Sequence, residues 1–153
     1  RVHGNACGGG GGLACVCDVA VGVTDARLGL TETKLGLIPA TIGPHVIACM
    51  GEARARRAFM SSRVFDAREA VELGILAKAV APEALDAAIE AEVVPYLSCA
   101  PGAVADAKAL ARALGGGAQV DPIGALVRRW ETEEAQEGVG AFFDKRATAW
   151  KRA

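Results

Sequence analysis

Two features of this sequence invite chemistry: the stretch GNACGGGGGLACVCD, residues 4–18, and a glutamate at position 32. Five glycines, Gly8 to Gly12, run straight into apolar residues that end at Asp18. A dinucleotide-binding turn would need glycines at i, i+2 and i+5; Gly8 and Gly10 fit, but position 13 is leucine. A phosphate loop would close on Gly-Lys-Ser/Thr, and this run closes on Gly-Gly-Leu. A third use of such a turn is an oxyanion hole. There, backbone N–H groups at a helix N-terminus face a developing negative charge, and side chains would block the approach. A tight turn with close helix–strand packing accounts for the glycines equally well. Glu32 is either a loop carboxylate in solvent or, in a dry pocket, a group able to give and take protons near neutral pH.

The elements that must position these residues can be read from turn signals and periodicity. Residues 13–17 read as a short buried helix opened by the glycines and closed by Asp18, a cap or turn residue, with a strand over Val19–Val23. Residues 25–44 are dense in Asp, Gly and Pro, which predicts short strands and irregular loops. Pro44 suits the first position of a helix that Gly51 stops. A helix over 52–62 would carry Phe59 and Met60 on its apolar side. Asp66 can cap another that runs to Leu73 and ends at Gly74, before a strand within 75–80. Leu85, Ile89 and Val93 recur four apart, and Val104, Ala107, Ala111 and Leu114 form a second stripe, each predicting a helix with one buried face. Residues 115–122 read as a loop, followed by helices containing Trp130 and Phe142. The expectation is an α/β core over 1–80 and a helical region over 81–153.

Composition narrows the function. The 153 residues are 52% hydrophobic and 23% charged, as in a globular domain with a sizeable core. Asp25, Arg27, Glu32 and Lys34 interrupt the early apolar region, so no run approaches the ~20 residues of a membrane span. No secretory signal pattern is visible. A net charge of −1 argues against bulk nucleic-acid binding, and Arg54, Arg56 and Arg57 read as one solvated or phosphate-facing helix edge. Five cysteines with a CxC spacing and only two histidines disfavour a zinc site; buried, reduced thiols in a cytoplasmic protein are the expectation. The first residue is Arg1, and Val2 reads as the end of a strand already under way, so the chain is expected to begin in mid-fold.

With the glycine run and Glu32 in view, a resemblance covers the whole chain in order. VHGNACGGGGGLACVCD resembles the signature of the crotonase (enoyl-CoA hydratase/isomerase) family. Glu32 falls fourteen residues after Asp18 in LGLTETKLGLIPATIG, which is similar to the family's F-G-x-x-E-x-x-L-G-x-x-P motif. FMSSRVFDAREAVELGILAKAV and EGVGAFFDKR resemble its two later segments. The resemblance implies the ClpP-like β-β-α spiral, of which this chain would be the C-terminal part, ending in a helical trimerisation region. It also implies a preceding part that supplies most of the spiral and a second oxyanion donor.

Carried over residue by residue, the resemblance implies that Gly9 N–H contacts a thioester oxygen, with Gly8 and Gly10 shaping the turn. Glu32 would exchange a proton with the substrate's Cα. Gly12 stands where hydratases place another glutamate, so one carboxylate is expected instead of two. Pro39, Ala40 and Ile42 would line the acyl pocket, although loop packing explains them as well, and His45 lies near the following helix start. Phe142 and Lys145 would reach the CoA nucleotide of a neighbouring subunit; an amphipathic terminal helix is the alternative reading. No metal is implied, and no cofactor beyond the coenzyme A of the substrate. The expected partners are an acyl-CoA thioester and further copies of the chain in a homotrimer or hexamer, without nucleic acid or membrane. The closest resemblance is to bacterial methylglutaconyl-CoA hydratases of leucine and isoprenoid breakdown, lyases that act on a C–O bond. The alternatives are a Δ3-Δ2 enoyl-CoA isomerase using the single glutamate, and a non-catalytic fragment or interaction module.

Overall fold

In the computed structural model, which describes residues 1–151, strand β1 (Ala6–Cys7) passes into helix α1 (Gly9–Val16) through Gly8 alone. Gly8 has φ 53° and ψ −121°, a conformation that a Cβ would strain, which is why the turn needs glycine. Its N–H donates to Gly29 O at 2.8 Å and so continues the pairing of β1 with β3 (Arg27–Gly29), which is parallel. β3 in turn pairs antiparallel with β4 (Val64–Asp66), giving the order β1-β3-β4. A second, two-stranded sheet joins β2 (Val21–Val23) in parallel to β5 (Lys78–Val80), with Val2 bridging to Gly22. These strands are two or three residues long, so period-2 alternation has no room to appear. β2 is instead buried throughout, as expected of a strand covered on both faces.

The chain divides into two compact units, Arg1–Ala91 and Glu92–Ala153. In the first, the sheets carry helices α2 (Gly43–Met50), α3 (Glu52–Ser61), α4 (Ala67–Glu72) and α5 (Leu85–Val93). Leu28, Val21, Val23, Val46, Leu76 and Leu85 are the largest apolar side chains buried almost completely in it, each contributing about 1.5–3 kcal/mol through burial. Leu85 of α5 belongs to this core, so the first unit runs beyond residue 80. Pro44 lies in the first turn of α2, and Gly51 stops it at φ 79°. Asp66 caps α4 by accepting from Glu69 N–H at 2.8 Å.

The second unit consists of α6 (Pro101–Gly115), α7 (Pro122–Trp130) and α8 (Glu133–Phe143). Asp121 and Thr132 cap the last two, accepting from Gly124 N–H at 2.9 Å and Ala135 N–H at 3.2 Å. Arg129 pairs with Glu134 and, at 3.2 Å, with Asp106, while Glu134 also accepts from Gly102 N–H at 3.1 Å. This ties α6 to α7 and α8. Beyond α8, Arg146 forks onto both carboxylate oxygens of Glu137 at 2.8 Å.

Several expectations need correction. The first helix begins at Gly9, inside the glycine run, and its buried positions are Gly11, Gly12 and Ala14, whereas Leu13 is 71% exposed. The strand expected over Val19–Val23 is only Val21–Val23. On α3 the buried face is Ala55 and Ala58; Phe59 is half-buried and Met60 is 71% exposed. The stripe on α6 is not buried: Val104 is half-covered, while Ala107, Ala111 and Leu114 are exposed. Val93 likewise faces outward although Leu85 is buried. The cysteines are free, but Cys7, Cys17 and Cys99 are exposed and only Cys15 and Cys49 are partly covered. Among the described residues, no helix is long and apolar enough to cross a membrane, and no group of three or more His, Cys, Asp or Glu side chains could hold a metal.

Candidate active site

The first turn of α1 is where the bare backbone is used. Gly12 N–H donates to Gly8 O at 3.1 Å, the first intrahelical bond, which leaves the N–H groups of Gly9, Gly10 and Gly11 without an intrahelical acceptor. Gly9 and Gly10 are exposed; a methyl group on Gly9 would meet no atom within 4 Å, and one on Gly10 would reach only Ala6 Cβ at 3.6 Å. The helix therefore opens onto free space with unpaired donors and the positive end of its dipole, an arrangement suited to a developing oxyanion. A single donor of this kind, aimed at the transition-state oxygen, is worth about 2.7–4 kcal/mol.

Glu32 arrives at the same turn from a different segment. It opens a 3₁₀ turn, Glu32–Leu35, that follows β3, and its Oε1 lies 3.4 Å from where a Cβ on Gly8 would stand. Its Oε2 is buried and has no hydrogen-bond partner among the described residues. A carboxylate oxygen left without a donor beside unpaired backbone N–H groups is poised for a proton-bearing ligand. The sequence-predicted residues Gly8, Gly9, Gly10 and Glu32 are thus brought together.

What holds Glu32 there was not legible in the sequence. Thr33 Oγ donates to Phe59 O at 2.9 Å and accepts from Ser62 Oγ, pinning the 3₁₀ turn to the end of α3. Ser62 is 1% exposed with φ 48°, so it is fixed by the fold as firmly as the turn it holds. Gly36, at φ 71°, closes the turn, and Leu37 N–H returns to Glu32 O at 3.1 Å. The hydroxyl beside the glutamate in TET was the available signal.

Beyond this turn, Pro39 is buried in the wall of an apolar groove of about 480 Å³ lined by Ile38, Ala40, Pro44, Ile47 and Phe59. Ile42 does not line this groove. It lies over Gly12, where a methyl group would stand 2.5 Å from its Cγ2. His45 is exposed on α2, Asp18 lies in the bend after α1, and Arg54, Arg56 and Arg57 are exposed on α3, with Arg56 paired to Glu52 at 2.7 Å. Phe142 and Lys145 belong to the second unit. Phe142 is 78% exposed and packs edge-on against Phe143 at 5.5 Å, and Lys145 is exposed with φ 54°.

A thiol pair lies further along the same helices. Cys15 on α1 is the neighbour of Cys49 on α2, and Cys49 donates to Gly74 O at 3.0 Å. The Cys15 donor lowers the Cys49 pKa to about 7, while the same contact and burial push Cys15 up.

Comparison with known proteins gives this geometry a setting. The family model described as enoyl-CoA hydratase/isomerase matches residues 1–153. The crystal structure of an enoyl-CoA hydratase from Shewanella pealeana ATCC 700345 has a TM-score of 0.90 at 38% identity, covering 96% of this chain and 57% of that one. Pseudomonas aeruginosa AtuE gives a TM-score of 0.91 at 37% identity, over 97% of this chain and 60% of that one. A Thermus thermophilus relative is 37% identical over 150 residues, and the chain spans 59% of its length.

Proposed function

The chain belongs to the enoyl-CoA hydratase/isomerase family and has its crotonase fold, and from that premise we propose that it serves the hydration of an enoyl-CoA thioester. The observation that carries this reading is the placement of Glu32 Oε1 against Gly8, with Oε2 buried and unpartnered, beside the open N–H groups of α1. In the proposed step the oxygen of water bonds to C3 and the π electrons move toward the thioester oxygen. Gly9 N–H holds the negative charge that develops there, and Glu32 takes up the water's proton and returns a proton to C2. Only interactions that strengthen as this charge grows accelerate the step, which is why fixed N–H groups suit it.

The acyl group we propose is methylglutaconyl-like, as in leucine and isoprenoid breakdown, with the Pro39 groove taking its apolar part. Phe142 and Lys145, exposed in the second unit, are proposed to meet the CoA nucleotide across the contact of a trimer or hexamer. Ile42 over Gly12 favours a second reading, Δ3-Δ2 isomerisation. A single carboxylate suffices there, because Glu32 would take a proton from C2 and return it to C4.

The test offers the full-length protein 3-methylglutaconyl-CoA and a 3-enoyl-CoA in parallel while conjugated-thioester absorbance is followed. Loss of absorbance with the first is expected; silence there and a gain with the second would establish isomerisation instead. Glu32→Gln should lower kcat by about 10²–10⁴-fold, the usual worth of a positioned acid–base group. An unchanged rate would remove Glu32 from the mechanism.

A further inference from the structure

The space one turn along α1 from Glu32 is filled, and by an unusual partner for a glycine. Gly12 N–H donates to Gly8 O at 3.1 Å, so the two glycines stack one helical turn apart, about 5.4 Å. Glu32 abuts the first and Ile42 the second. A Cβ on Gly12 would stand 2.5 Å from Ile42 Cγ2 and 2.7 Å from Ile42 Cβ, distances at which something must move. Ile42 is poorly able to yield. It is β-branched, with few χ1 options, and its carbonyl accepts from the N–H groups of His45 and Val46 at 3.0 Å where α2 begins. Val46 and Met50 anchor that helix in the core.

We propose that Ile42 is a specificity-determining residue: its side chain occupies the space beside Gly12, one turn from the Glu32 carboxyl, and so denies the site a second proton-transferring group and a polar seat for water. This deepens the thioester reading above and rests on it. Glu32 then has to balance the protons alone, giving back at carbon the one it takes from water or from substrate. A water placed beside Gly12 meets isoleucine methyls in place of a polar group.

Two sets of variants of the full-length protein test this. In the first, melting temperatures are compared for Gly12→Ala, Ile42→Gly and the double variant. Gly12→Ala alone should lower Tm by about 3–10 °C, the cost of overpacking in a protein of this size. In the Ile42→Gly background the same alanine should be neutral or raise Tm, because alanine is the better helix former. An equal cost in both backgrounds would overturn the steric pairing. In the second set, Ile42→Gly is compared with Gly12→Glu/Ile42→Gly on a short, unbranched 2-enoyl-CoA. The double variant should hydrate it at least tenfold faster. A rate no higher than that of Ile42→Gly would overturn the proposal while leaving the wild-type thioester activity to stand. Silence of the wild type and every variant on all enoyl-CoA substrates would defeat the thioester reading and this proposal together, whereas the melting cycle needs no substrate.

Discussion

Replacing Gly8 by alanine should separate what the turn needs from what the chemistry needs. At φ 53° and ψ −121°, Gly8 sits where an L-residue costs about 1–3 kcal/mol. The new methyl would also stand 3.4 Å from Glu32 Oε1, close enough to nudge the carboxyl but not to clash with it. Backbone strain is therefore the larger effect, and Gly8→Ala should lose about 1–3 kcal/mol of stability. The neighbouring Gly9→Ala supplies the control. Gly9 is helical, has no positive φ, and has nothing within 4 Å of the added methyl. Its stability should match the wild type or gain up to about 1 kcal/mol from helix propensity. Urea unfolding gives both numbers as midpoint shifts at constant m-value. Turnover should fall in both, in Gly8→Ala because relief of the backbone strain shifts the turn beneath the Glu32 carboxyl, and in Gly9→Ala because a methyl stands beside the N–H proposed to hold the thioester oxygen. Equal stability of the two variants would refute the claim that the Gly8 conformation is what requires glycine.

Two further outcomes follow from contacts near the site. Thr33→Val removes the partner of the buried Ser62 hydroxyl and the donor to Phe59 O, and should cost about 1–3 kcal/mol by denaturant titration. Adding Ser62→Ala should recover part of that loss, and strict additivity of the two would show that the hydroxyls are not coupled. For Cys49, a donor to the thiolate favours the anion, so its pKa falls, to about 7, and removal of the donor must raise it. Iodoacetamide labelling of Cys49, followed by mass spectrometry, should therefore reach half its maximal rate near pH 7. In Cys15→Ala the midpoint should move up toward the ordinary thiol range, and an unmoved midpoint would exclude Cys15 as the cause.

The parts of this site that could be read from the sequence are those carried by local signals. A glycine run that matched neither nucleotide motif left few chemistries open, and Asp66 and Pro44 marked helix starts through their own side chains and ring. The start of α1 departs from expectation because glycine is a poor helix former, and here packing overrides propensity: Gly11 and Gly12 are buried, and at Gly12 even a methyl group would run into Ile42. Periodicity predicted which face of α6 is apolar, but period alone does not say what covers a face, and Ala107, Ala111 and Leu114 are exposed. Ile42 against Gly12 and Ser62 under Thr33 join positions about thirty residues apart. No local rule reports such a contact, because it exists only once β3 and α2 have been brought beside α1.

That dependence reaches into the order in which the protein folds. β2 registers Val21 with Lys78, 57 positions along the chain, and β1 must settle on β3 before Gly29 can receive the Gly8 N–H. Short parallel pairings of this kind repay the entropy of closing their loops only when many form together, so they assemble slowly and late. The turn that exposes the Gly9 N–H and the turn that aims Glu32 are both hung on these pairings. A nascent or partly folded chain consequently lacks this arrangement, and the two turns meet only once the strands have paired.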